Sequence, residues 1–189
     1  YLTGGCNLAC KHCWITPTFH PNGGTGGHLD FELFKLAIEE GLPLGLQSVK
    51  LTGGEPLLHP DFIKIVDHTT SNHLKLWMET NGTLISRDLA FYLKNKTTMS
   101  AISVSLDGAT AETHEQNRNV RGCFDQSLSG IKHLVDAGFN PQIILSLTKD
   151  NVDEIEPLAF WAQAHGCRSL KINLISPVGR GQQMQSKGD

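Results

Sequence analysis

The stretch Ala101-Ile102-Ser103-Val104-Ser105-Leu106-Asp107-Gly108 alternates apolar and polar residues. Successive strand side chains point to opposite faces, so Ile102, Val104 and Leu106 share one face and Ser103, Ser105 and Asp107 the other. The same alternation recurs to both sides. Val49 and Leu51, Leu76 and Met78, Ile143, Leu145 and Leu147, and Leu170, Ile172 and Leu174 continue the apolar face. Lys50 and Thr52, Trp77 and Glu79, Ser146, and Lys171 and Asn173 continue the polar one. Strands are therefore expected near 1–3, 48–52, 74–79, 101–107, 142–148 and 170–175.

Amphipathic helices fit between these strands. The first takes Asp30 as N-cap and Phe34, Ala37, Ile38 and Leu42 as its apolar stripe; the second starts at Pro60 and carries Phe62, Ile65 and Val66. Ser86 caps a third, with Leu89 and Leu93 inside. A fourth carries Leu128, Ile131, Leu134 and Val135 and stops at Gly138, and a fifth carries Ile155, Leu158, Ala159 and Ala162 before Gly166. Strands alternating with helices make an α/β chain with a parallel sheet. Parallel strands covered on both faces read as continuous apolar runs, which these do not. Leaving a polar group buried and unsatisfied costs about 1–3 kcal/mol. The polar face is therefore expected to line a wet cavity around which the sheet curls. An open sheet with one solvated face is the other arrangement the pattern allows.

At 189 residues and 39% hydrophobic content the chain suits one domain. We expect a core over 1–178 and a polar, Gly- and Gln-rich linker over 179–189 leading to a further region. The opening at Tyr1 rather than Met suggests a piece of a longer protein. A net charge of -3, with 16 basic and 19 acidic residues and no basic run, offers no footprint for nucleic acid or an anionic membrane. No stretch approaches the roughly 18 apolar residues of a membrane span. A small-molecule or peptide substrate fits better.

Three of the five cysteines crowd into Gly4-Gly5-Cys6-Asn7-Leu8-Ala9-Cys10-Lys11-His12-Cys13-Trp14. Soft thiolates suit iron-sulfur clusters or zinc. Structural zinc wants a fourth ligand, which His12 supplies only if its ring turns inward. A four-iron cluster with three thiolates keeps one iron open, the condition for catalysis. Three buried free thiols are the remaining reading. Cys123, after Gly122, is expected at a helix N-terminus rather than as a catalytic thiol. Cys167, ahead of the last strand, is expected far from the chemistry. The glycine-rich 22–27 reads as a flexible loop or a lid.

Further along, Leu51-Thr52-Gly53-Gly54-Glu55-Pro56 ends one expected strand and Glu79-Thr80-Asn81-Gly82 another. With CxxxCxxC ahead of them, these turns resemble the radical SAM superfamily over nearly the whole chain. The segment 103–108 resembles the SxDG strand of its SPASM-type branch, and His114 to Arg118 followed by Gly122 and Phe124 resembles that branch's Hxx(x)R-to-GxF loop. Gly179-Arg180-Gly181 is a further branch-like feature. The resemblance implies a partial (β/α)6 barrel, a 4Fe-4S cluster on Cys6, Cys10 and Cys13, and S-adenosylmethionine as second cofactor. It implies cofactor contacts from His12, Gly53, Gly54, Glu55, Glu79, Ser105 and Arg118, the arginine pairing with the cofactor carboxylate. No GxIxGxxE signature marks an adenine site, although Ile175 is placed to pack on a base. Trp77, Ser146, Lys171 and Asn173 are expected to line the lumen. The implied activity is reductive cleavage of S-adenosylmethionine to a 5'-deoxyadenosyl radical in a cytoplasmic enzyme served by a reductant such as flavodoxin or ferredoxin. The favoured substrate is a ribosomal peptide; haem-type tetrapyrrole or cofactor synthesis and sulfatase maturation are alternatives. A non-catalytic zinc or cluster-binding module is the alternative of another class.

Overall fold

Five strands carry the alternating pattern into a single parallel sheet: β3 (Ser48–Leu51), β4 (Lys75–Thr80), β5 (Met99–Ser105), β6 (Gln142–Leu147) and β7 (Ser169–Leu174). Their spatial order is their chain order. The computed structural model describes residues 1–19 and 27–186, with no side-chain description for 185 and 186. Residues 22–26 of the expected glycine-rich loop lie outside this range.

Helices return the chain between strands. α1 (Phe31–Gly41) precedes β3, α2 (Phe62–Ser71) follows it, α3 (Arg87–Lys96) follows β4, and α6 (Ile155–Ala164) follows β6. Between β5 and β6 stand α4 (Ala111–Arg118) and α5 (Cys123–Asp136), and α7 (Arg180–Ser186) follows β7. Asp30 caps α1 by accepting from the Glu32 and Leu33 amides, and Ser86 caps α3 by accepting from the Leu89 amide; such caps contribute about 1 kcal/mol each. α2 begins at Phe62, two residues past the expected Pro60.

The apolar strand face packs on the helices as expected from β3 to β6. Leu51, Leu76, Met78, Ile102, Val104, Leu106, Ile143 and Leu145 are buried with Ile65, Leu93, Ile131, Leu134 and Leu158. On the edge strand β7 the expectation fails, because Ile172 and Leu174 remain 44% and 80% exposed. The stretch expected as the first strand joins no sheet ladder. Residues 2–5 instead run along the turn beyond β3: the Leu2 amide donates to the Thr52 carbonyl at 2.8 Å, Gly54 to Thr3 at 2.7 Å and Glu55 to Gly5 at 2.9 Å. A short parallel pair, β1 (Gly5–Cys6) with β2 (Thr18–Phe19), then frames the cysteine loop. The segment read as a linker is helical over Arg180–Ser186.

Candidate active site

The cysteine loop and the carboxyl ends of the strands enclose a cavity of about 540 Å³. Cys6, Cys10, His12, Cys13, Gly53, Gly54, Glu79, Ser105 and Arg118 all line it, as do Ser146, Asn173 and Ile175. Strand parity accounts for Glu79, Ser105, Ser146 and Asn173; the turns account for Gly53 and Gly54. Glu55 is not on the lining, nor are the lumen candidates Trp77 and Lys171.

Glu55 lies behind the wall. Its carboxylate accepts from Thr80 Oγ1 at 2.7 Å, from the Asn81 amide at 2.8 Å and from the Leu57 amide at 3.3 Å. It thus clamps the Gly53-Gly54 turn to the Thr80-Asn81 turn. Burial pushes its pKa up to about 7 in spite of those donors. Glu79 faces the cavity and accepts from Lys50 Nζ at 2.6 Å.

The loop is fastened on several sides. Asn81 Nδ2 donates to Asn7 Oδ1 at 2.8 Å, and Asn7 Nδ2 donates to Thr83 Oγ1 at 2.9 Å. At the end of α4 the Arg118 and Asn117 carbonyls accept from the Ala9 and Lys11 amides at 3.2 and 2.9 Å. This helix stands where the sequence pattern offered only a loop. Thr110 caps it and Asn119, at φ 58°, ends it, which places Arg118 under the cysteines.

Arg118 is buried, and its partner there is Asp107. Nη2 donates to Asp107 Oδ1 at 2.8 Å and Nε lies 2.7 Å from Oδ2, the latter contact off the hydrogen-bond direction. Nη1 donates to Cys10 Sγ at 3.6 Å. Burial opposes ionisation of Asp107, but the Arg118 charge, with His12 and the Ser146 amide, outweighs it and holds the carboxyl below its usual range. Burial lowers His12 to about 4 and His114 to about 3. His12 is therefore neutral at pH 7, and its 3.8 Å approach to Asp107 is no ion pair. Neutral His114 accepts the Asp107 amide at Nδ1 over 3.0 Å. The expected guanidinium was legible; its buried partner Asp107 was read as a lumen residue, and the Ser-Leu-Asp-Gly signature was the signal that could have found it.

Cys6, Leu8, Cys10 and Cys123 form one buried cluster, with Cys13 and Val120 packed on it. Cys123 does open α5, as expected, yet it packs behind the loop rather than away from it. Burial raises Cys6 and Cys123 to about 12 and raises Cys10 as well. Cys167 precedes β7 at its amino end and packs on the main core.

A low-dielectric pocket bearing three thiols and a guanidinium against one of them fits an anionic iron-sulfur cluster. Metal would displace protons from those thiols, and the cation would then face a thiolate. Two buried polar atoms without hydrogen-bond partners lie beside the loop, His12 Nδ1 and Arg180 Nη2. Among the described residues no three His, Cys, Asp or Glu side chains converge on a point that a single ion could fill.

The chain matches the Radical SAM superfamily over residues 1–162 and belongs to it. It is 35% identical over 182 residues to the AdoMet-dependent heme synthase of Methanosarcina barkeri, covering 96% of this chain and 51% of that protein. With mycofactocin maturase MftC of Mycobacterium tuberculosis it shares 34% over 181 residues, covering 95% and 44%. Its fold overlays SuiB of Streptococcus suis bound to S-adenosylmethionine with a TM-score of 0.80 at 19% identity, over 94% of this chain and 40% of SuiB. SuiB bound to precursor peptide SuiA gives 0.79 at 18% identity, over 94% and 38%. The chain spans about half the length of the curated relatives it matches. The expected α/β partial barrel and family therefore stand. Among the described residues no helix is long and apolar enough to cross a membrane.

Proposed function

We propose that this chain is the catalytic core of a SPASM-type radical SAM enzyme that reductively cleaves S-adenosylmethionine and modifies a ribosomally made peptide by crosslink, thioether or epimerisation. One observation carries the reading: the three cysteines, the Gly53-Gly54 turn, Glu79 and Ser105 meet on one cavity at the carboxyl ends of the strands, where α/β proteins bind ligands. Cys6, Cys10 and Cys13 would hold a 4Fe-4S cluster. When bound, the cluster and S-adenosylmethionine supply one electron and a 5'-deoxyadenosyl radical that takes hydrogen from the substrate.

The chain's own residues bind and orient. Gly53 and Gly54 present backbone groups to the methionyl amine. Glu79, steadied by Lys50, and Ser105 offer polar contacts to the ribose and methionine parts. Arg118 meets the cofactor carboxylate if part of its fork turns from Asp107; otherwise it serves as donor to Cys10. His12, neutral and on the lining, provides a ring beside the cofactor without adding charge. A flavodoxin or ferredoxin supplies the electron in a cytoplasmic setting, where thiols stay reduced.

Ser105, Ser146, Asn173 and Glu79 stand on the lining beside apolar Ile144, Ile172 and Leu174, a mixture that suits a substrate bearing both polar and apolar groups, such as a peptide. Kinship with a maturase supports the peptide. The test is transfer of deuterium from a labelled precursor peptide, encoded beside the enzyme, into deoxyadenosine by the full-length protein. The haem-synthase relative, at 35% identity, favours a second reading, a tetrapyrrole substrate. Label arriving only from a tetrapyrrole, with no peptide supporting turnover, would replace the first reading by the second.

A further inference from the structure

Arg180 lines the cavity and touches the cysteine loop from 170 residues away. Its Nε donates to the Cys10 carbonyl at 2.7 Å, and its backbone amide donates to the Cys13 carbonyl at 2.9 Å. The flanking glycines permit that approach. A Cβ on Gly179, itself at φ +59°, would stand 2.5 Å from the Trp14 carbonyl oxygen and 2.8 Å from that of Cys13; one on Gly181 would stand 2.4 Å from the Ser176 oxygen. Backbone therefore lies against backbone where β7 runs into α7.

Charge distinguishes this arginine from Arg118. The Arg118 charge is offset by Asp107 within the same buried pair. Arg180 is half-buried, lines the cavity, and has no carboxylate within ion-pair distance among the described residues. Its Nη2 is buried without a partner. An arginine stays ionised throughout. A cluster with three thiolates gains one negative charge on reduction, and reduction potentials follow net charge and the polar groups around the sulfurs. A fixed, uncompensated cation favours the reduced state.

Resting on the cluster reading above, we propose that Arg180 is a positioning residue that holds the Cys10 and Cys13 backbone in its ligating conformation and raises the potential at which the cluster accepts its electron. It ligates nothing itself. The comparison is between wild-type, Arg180→Gln and Arg180→Lys full-length proteins, each reconstituted anaerobically and followed by iron content, thermal melting and a redox titration read by electron paramagnetic resonance.

Arg180→Gln keeps an amide donor for the Cys10 carbonyl and loses the charge. At the wild-type midpoint, at least threefold less of its cluster should be reduced per cluster present, while Arg180→Lys should titrate close to wild type. Melting within a few degrees of wild type would exclude a general folding defect. A Gln protein that titrates like wild type overturns the proposal, and so does one that merely loses iron with its potential unchanged. Failure of wild type itself to take up iron would count against the cluster reading instead, so the two failures are distinguishable.

Discussion

Gly54 lies so near the start of the chain that an added Cβ would stand 1.9 Å from the Gly5 carbonyl oxygen. The obstacle is backbone, which has no rotamer to escape into, and the same glycine's amide donates to Thr3 at 2.7 Å. Gly54→Ala should therefore push the turn off the cysteine loop, lowering the melting temperature and the iron taken up on reconstitution. A variant that melts and loads like wild type would contradict the contact. The sequence marked this glycine through its motif, while the reason for it depends on two segments about fifty residues apart meeting backbone to backbone. Cys123 shows the same limit. Its place at a helix start was legible from Gly122, but its burial behind Cys6 and Cys10 is a tertiary fact that no local pattern carries.

At the scale of elements, Glu55 joins the turn after β3 to the turn after β4, and this predicts a pH dependence. Its pKa of about 7 exceeds that of an unfolded chain, about 4.3. Between those values the native protein holds a proton that the unfolded chain has released, so the stability it contributes is complete below the lower value and lost as pH rises through 7. His12 and His114 work in the opposite sense, with folded values near 4 and 3, and their contribution is complete above about pH 6.5. The histidines titrate alike in wild type and Glu55→Gln, so the melting temperature of wild type relative to the variant should fall as pH rises from about 4.3 through 7. An equal slope in the variant would show that another group is responsible. The helices were unequally legible for a related reason. α1, α3 and α5 announce themselves by apolar spacing, whereas α4 buries His114, Asn117 and Arg118; a helix with a polar buried face is invisible to a search for apolar stripes.

Across the whole molecule, strand parity in the sequence foretold that Glu79, Ser105, Ser146 and Asn173 meet in the cavity. It misjudged β7, where Ile172 and Leu174 stay exposed, although the other edge strand, β3, keeps Leu51 buried. It also missed the closure of the site by Gly179-Arg180-Gly181, a contact between the two ends of the described chain. The loop, the turns and the strand ends nonetheless form one site, and its chemistry has a direct test. Protein reconstituted anaerobically to about four irons per chain, the number a 4Fe-4S cluster contains, is reduced with dithionite and given S-adenosylmethionine alone. Slow formation of 5'-deoxyadenosine and methionine, abolished by Cys6→Ala, Cys10→Ala or Cys13→Ala, is the predicted result. Methyl transfer alone, or no cleavage by a fully loaded cluster, would contradict it.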